Sequence, residues 1–107
     1  MIVTTTHEVA GKRIARTLGL VRGNSVRGRH IGRDLIAHLR NAVGGEIIEY
    51  TKMMAESREQ ALDRMVDEAR SLGANAIIGV GFASNMSMPG AAELLAYGTA
   101  VVMEDAG

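Results

Sequence analysis

Cysteine is missing from the 107-residue sequence, which excludes disulfides, thiolate metal ligands and cysteine nucleophiles together. Tryptophan is missing as well, and Tyr50, Phe82 and Tyr97 are the whole aromatic complement. A core must therefore come from Ile, Leu, Val, Ala and the seven Met. No apolar run approaches the ~20 residues that a bilayer-spanning helix needs. The longest, residues 76–83, already contains Gly79 and Gly81. The first eight residues lack a basic stretch leading into an apolar one, so no signal peptide is expected. No membrane partner is expected, and a cytoplasmic address is the default.

Net charge is also lacking, because twelve Lys and Arg balance twelve Asp and Glu. The balance hides a division. Residues 1–45 carry eight basic side chains against Glu8 and Asp34, whereas residues 46–107 carry four against ten acids. Such asymmetry can mark an anion-binding half. It also suits a basic half of one copy meeting the acidic half of the next, the reading favoured for a neutral chain. Nucleic acid is not an expected partner. The basic half has no aromatic platform for bases, and zero net charge removes long-range attraction.

What is present points to one α+β domain spanning residues 1–107. Ile2-Val3-Thr4-Thr5 is β-branched and reads as a short strand. Residues 13–22 read as a second strand, with Ile14, Leu18 and Leu20 on one face. A loop rich in Gly and Arg follows, from Gly23 to Arg29. Ile31, Leu35, Leu39 and Ala42 then recur at helical spacing and predict a helix over residues 30–43. Gly44-Gly45 ends it, and a longer helix is predicted over 46–72, capped by Gly73. Its apolar stripe is Met54, Ala61, Leu62, Met65, Ala69 and Leu72.

The last third predicts a hairpin of strands 76–86 and 93–103 around Met88-Pro89-Gly90. A strand with one wet face should alternate apolar and polar residues, and these do not. The first sets Ile78, Val80 and Phe82 against Ile77, Gly79, Gly81 and Ala83. The second sets Leu94, Ala96, Gly98, Ala100 and Val102 against Leu95, Tyr97, Thr99, Val101 and Met103. Two helices can cover one face of such a sheet. Nothing in so short a chain is left for the other, so a second subunit is expected there.

Several segments together resemble a known family. They are Ile2-Val3-Thr4-Thr5-Thr6, Arg33-Asp34 with Arg40, and the Val43-Gly44-Gly45 helix end. Tyr50, the junction from Ala69 to Ala76, and Gly98-Thr99-Ala100-Val101 complete the set. This combination, spread over nearly the whole chain, resembles the YbjQ-like family of small bacterial and archaeal proteins. The resemblance implies a dodecin-like, two-layer α+β fold with an antiparallel sheet covered by helices on one face. It also implies a ring-forming homo-oligomer, a pentamer, and carries a heavy-metal-binding label without established ligand residues.

Candidate chemistry is sparse. His30, Asp34 and His38 form one helical stripe, and imidazole with carboxylate suits a divalent metal. The bland reading is a solvated stripe with Asp34 paired to Arg33 or Arg40. Met86 and Met88 could hold a soft ion, although Met more often fills gaps in cores. Arg27, Arg29 and Arg33 lie in a Gly-rich stretch leading to a helix N-terminus, a pattern that suits a small anion or phosphate ligand. The segment Gly23 to His30 nearly matches a P-loop. It has Arg29 for the lysine and His30 for the hydroxyl residue that holds Mg²⁺, so nucleotide hydrolysis is not expected.

Glu46, Glu49 and Tyr50 are acids and a phenol at a helix start, where acids are ordinary dipole partners. His7-Glu8 reads as a solvated loop pair. With no nucleophile elbow and no HExxH motif, the chain reads as a non-enzymatic, oligomeric binding domain or scaffold.

Overall fold

The structure, a computed structural model, describes residues 1–27, 45–88 and 91–107. Strand β1 (Ile2–Val3) and strand β2 (Lys12–Arg27) precede helix α1 (Gly45–Ser71), and strands β3 (Ala76–Met88) and β4 (Ala91–Asp105) follow. The sheet order is β1-β3-β4-β2. β4 runs antiparallel to both β3 and β2, whereas β1 runs parallel to β3. The sheet is therefore mixed, not antiparallel throughout as the sequence suggested. A parallel pair needs a crossover, and the whole chain between β1 and β3 supplies it.

α1 lies on one face of the sheet, chiefly over β2 and β4. Its buried stripe is Ala61, Met65 and Ala69, which meet Val21, Ile77, Val80, Ala96 and Ala100. Leu72, expected in that stripe, lies beyond the last turn and is exposed. The helix ends as the glycine predicts. Gly73 takes φ 87° while Ala74 N–H donates to Ala69 C=O and Gly73 N–H to Arg70 C=O, both at 3.0 Å. Those two bonds form a Schellman cap, satisfying carbonyls that would otherwise end the helix unpaired.

The segment Gly23–Arg27, expected as loop, is the end of β2, paired with Ala92 to Ala96. The reason lies in what Gly23 touches. A Cβ there would collide with the Ala61 carbonyl and the Met65 amide of α1 and sit 2.9 Å from Arg64 Cβ. Glycine at this position marks close approach of a helix, not a turn. Two positions on, buried Ser25 donates to Gln60 Oε1 at 3.0 Å, so a small polar residue also serves the contact.

Bulges overturn two of the expected faces. Register shifts fall between Ile14 and Arg16 and between Thr17 and Gly19 in β2, and between Ile78 and Gly81 in β3. Each extra residue breaks the two-residue alternation. Leu18 consequently packs toward the helix-side core, while Ile14 and Leu20 pair opposite Met103 and Thr99 on the other face. Likewise Val80 joins Ile77 under the helix, and Ile78 turns away with Ala76. The unbulged β4 keeps the two faces its sequence predicts.

The face that bears no helix among the described residues, the helix-free face, has its own small core at one end. Ala76, Ile78, Val101 and Met103 are buried there beneath Ile2 and Val9. The N-terminal arm that delivers this cover is tied to β3 by backbone bonds. Thr4 N–H donates to Ile77 C=O, Val80 N–H to Thr4 C=O and Gly79 N–H to Thr6 C=O, at 2.9–3.0 Å. Asn75 secures the same end: its amide donates to Met103 C=O at 2.8 Å and accepts from Met103 N–H at 2.7 Å.

The molecule is long. It spans 57 × 24 × 16 Å with a radius of gyration of 17.2 Å, where a compact chain of 100 residues has about 13 Å.

Candidate functional surface

Away from the arm, nothing in the described residues covers the helix-free face. Leu20 is 65% exposed and Tyr97 39%, and both stand in the middle of the strands. The Tyr97 ring lies across Gly81, where an added Cβ would come within 2.6 Å of the phenol oxygen. Arg22 is paired opposite Tyr97 and is exposed. Toward the far end Asn24 Nδ2 donates to Glu93 Oε1 at 3.0 Å. The surface is thus apolar and aromatic at its centre, with one guanidinium beside the ring.

Charge is arranged by strand. β2 holds Lys12, Arg13, Arg16, Arg22 and Arg27 and no acid, whereas β4 holds Glu93, Glu104 and Asp105 and no base. Two pairs close the arm end of the sheet: Lys12 Nζ to Asp105 Oδ1 at 2.6 Å, and Arg13 to Glu104. The Lys12 hydrogen bond and charge hold the Asp105 carboxyl below the usual carboxylate range. Arg16 and Arg22 have no ionic partner among the described residues.

The sequence-predicted sites fare unevenly. His30, Asp34, His38, Arg29 and Arg33 lie outside the described residues, as does the predicted helix over 30–43. Arg27 ends β2, paired with Ala92, and so belongs to a strand and not to a flexible loop. Met86 and Met88 fall in the last turn of pairing in β3, where the register shifts between Asn85 and Met88. Glu46, Glu49 and Tyr50 fall in the first two turns of α1.

His7 is better placed than the sequence suggested. Its ring lies over Gly79, where an added Cβ would be 3.0 Å from Nε2. Beside it Thr4 and Thr6 share a hydroxyl contact of 2.9 Å, and Thr6 Oγ1 donates to Glu8 C=O at 2.6 Å. These hydroxyls serve each other and the arm's backbone. No group of three His, Cys, Asp or Glu that could hold a metal occurs among the described residues. No helix among them is long and apolar enough to cross a membrane.

Comparison with known proteins places the chain. Residues 1–104 match the family described as "Putative heavy-metal-binding". A UPF0145 protein of Methanosarcina acetivorans is 52% identical over 101 residues, covering 94% of this chain and 95% of the relative. UPF0145 proteins of Dehalococcoides mccartyi and Thermus thermophilus are 54% and 53% identical, over 97% and 99% of this chain and 100% and 93% of theirs. Among solved structures, a protein of unknown function of the DUF74 family from Pediococcus pentosaceus superposes with a TM-score of 0.66. It is 19% identical and the match covers 97% of this chain and 98% of that one, a likeness of fold alone.

Proposed function

Because the chain belongs to the YbjQ-like family of UPF0145 proteins, we propose that it is a non-enzymatic module that works as a homo-oligomeric ring. The observation that carries this reading is the half of the sheet face opposite α1, centred on Leu20 and Tyr97, that none of the described residues covers. The occupant is a second copy of the chain. Charge supports that choice, since a neutral chain with a basic first half and an acidic second half is complementary to itself. A pentamer fits the dodecin-like reading of the family.

The test is sedimentation of wild type beside Leu20→Lys. A lysine on this face loses apolar burial and adds charge to an already basic strand. The expected result is a multimeric wild type and a variant that falls to the mass of one chain with its fold intact. A wild type that sediments as one chain at micromolar concentration overturns the reading.

The family description favours a second role, holding a heavy-metal ion. The described residues do not fit one, since they contain no three-residue donor group. In this chain the role rests on His30, Asp34 and His38, whose imidazoles and carboxylate suit a borderline divalent ion. Calorimetric titration of metal-stripped protein with Zn²⁺, Ni²⁺ and Cu²⁺ tests it. Tight binding lost in His30→Ala/His38→Ala supports the role, and no binding by wild type removes it.

A further inference from the structure

The open half of the helix-free face is not uniformly apolar. At its centre β4 presents Leu95, Tyr97 and Thr99, and β2 presents Asn24, Arg22 and Leu20 opposite them in that order. Directly opposed residues of an antiparallel pair hold their Cβ atoms about 5 Å apart. Arg22 is therefore the neighbour of Tyr97, and Leu20 the neighbour of Thr99.

Two features separate this centre from an ordinary wet sheet surface. The first is the attitude of Tyr97. Its side chain lies down across β3 over Gly81, its partner in the ladder, where a Cβ would sit 2.6 Å from the phenol oxygen and 2.7 Å from Cζ. Any larger residue at position 81 would push the ring off the strand. Lying on the sheet, the ring turns one π face outward, and Tyr97 stays exposed. The second feature is the guanidinium beside it. Arg22 is exposed and has no ionic partner among the described residues. Glu93 of β4 already accepts from Asn24 at 3.0 Å, while Glu104 and Asp105 are paired with Arg13 and Lys12 at the arm end. None of the three acids of β4 is left for Arg22.

A guanidinium fork beside an aromatic face recognises a flat body that ends in a carboxylate. The ring supplies stacking, and the fork supplies two parallel N–H···O bonds. A neutral ligand would leave the fork unused, and an anion without a ring would leave Tyr97 and Leu20 uncovered. We infer that this platform binds a planar aromatic carboxylate, its ring on Tyr97 and Leu20 and its carboxylate on Arg22. A single platform is flat, whereas small-molecule sites bury most of their ligand. The second copy proposed above to cover this surface supplies the opposing wall. The inference therefore rests on that self-association and names what is held within the contact.

The probes are naphthoate, its neutral amide and acetate, measured by equilibrium dialysis against wild type whose mass has been read by sedimentation. The site predicts that a multimeric wild type binds naphthoate about tenfold tighter than the amide, as when a charged hydrogen bond replaces a neutral one. Acetate, which has no ring, should not bind. Arg22→Gln should remove the preference for the acid. Arg16→Gln deletes the same charge opposite Val102, in register with the helix-side residues of β4, and should keep it. Loss of the preference in both variants would show a general effect of surface charge and overturn the inference. Equal binding of acid and amide by wild type, or no binding by a wild-type multimer, overturns it too and leaves self-association standing. A single-chain mass for wild type removes both. Photolabelling of wild type with a benzophenone carboxylate gives a readout that no substitution can disturb. The site predicts adducts on Leu20–Arg22 and Leu95–Thr99, and adducts confined to other segments contradict it.

Discussion

The two ends of the helix-free sheet face both carry large apolar side chains and have opposite fates. At one end Ala76, Ile78, Val101 and Met103 are buried under Ile2 and Val9, which the N-terminal arm carries across the strands. At the other, Leu20 and Tyr97 stand open. The arm is fixed by backbone bonds to β3 and stops at the Gly79 bulge, where His7 rests on the glycine. The difference among the described residues is one of reach: the N-terminal arm covers the first end and does not extend over the second.

Substitutions at the closed end and under the helix should act on the stability of the single chain. Met65→Ala has the largest expected effect, because Met65 is fully buried between α1 and the sheet. A loss of about 3 kcal/mol is expected from such a truncation, read from the denaturant midpoint. Gly23→Val should come close, at about 2–3 kcal/mol, because the side chain meets helix backbone that cannot yield like a side chain. Its diagnostic is a loss concentrated in amide protection of α1. Asn75→Ala should cost about 2 kcal/mol by leaving the Met103 N–H and C=O without partners. If all three variants kept wild-type midpoints, the packing described for this end would be wrong.

Substitutions at the open end should behave in the opposite way. Tyr97→Ser is expected to leave the fold of the single chain nearly unchanged and to weaken association. Its readout is mass against concentration, with unfolding measured at high dilution. A variant that unfolds but does not dissociate would reverse the comparison.

The smallest effect belongs to the exposed Lys12–Asp105 pair. Lys12 holds the Asp105 pKa below its unfolded value of 3.8. A depressed carboxylate contributes stability above the unfolded pKa and loses it as pH falls through the folded one. Asp105→Asn should therefore lower stability slightly at neutral pH and flatten the acid side of the profile, the variant and wild type converging as pH falls through the folded pKa. Solvent and salt screen such a pair, so a large change at neutral pH would contradict the assignment.

Much of this was legible in the sequence, and the failures share a cause. The long helix, its Gly73 cap and the two faces of β4 follow from spacing alone, because no bulge interrupts them. In β2 and β3 the faces were misassigned wherever an extra residue enters the ladder, as at Leu18 and Val80. Local composition does not report a bulge reliably, although Gly19 and Gly79, both at positive φ, stand beside these two. Gly23 looks like a loop residue in the sequence because a glycine that admits a helix backbone has the same local signature as one that makes a turn. The cover supplied by Val9 was missed because a loop residue shows no periodicity to place it. The exposed surface around Leu20 and Tyr97 was half visible: non-alternating strands announced a second buried face, but not that the chain would close one end itself.

The account stands on whether the open end of that face is occupied by another copy. Sedimentation velocity of the wild-type chain across a micromolar concentration range tests this most directly. The account predicts a species that is a whole-number multiple of the 11.4 kDa chain, lost in Leu20→Lys. A single boundary at the mass of one chain, unchanged throughout the range, would contradict it.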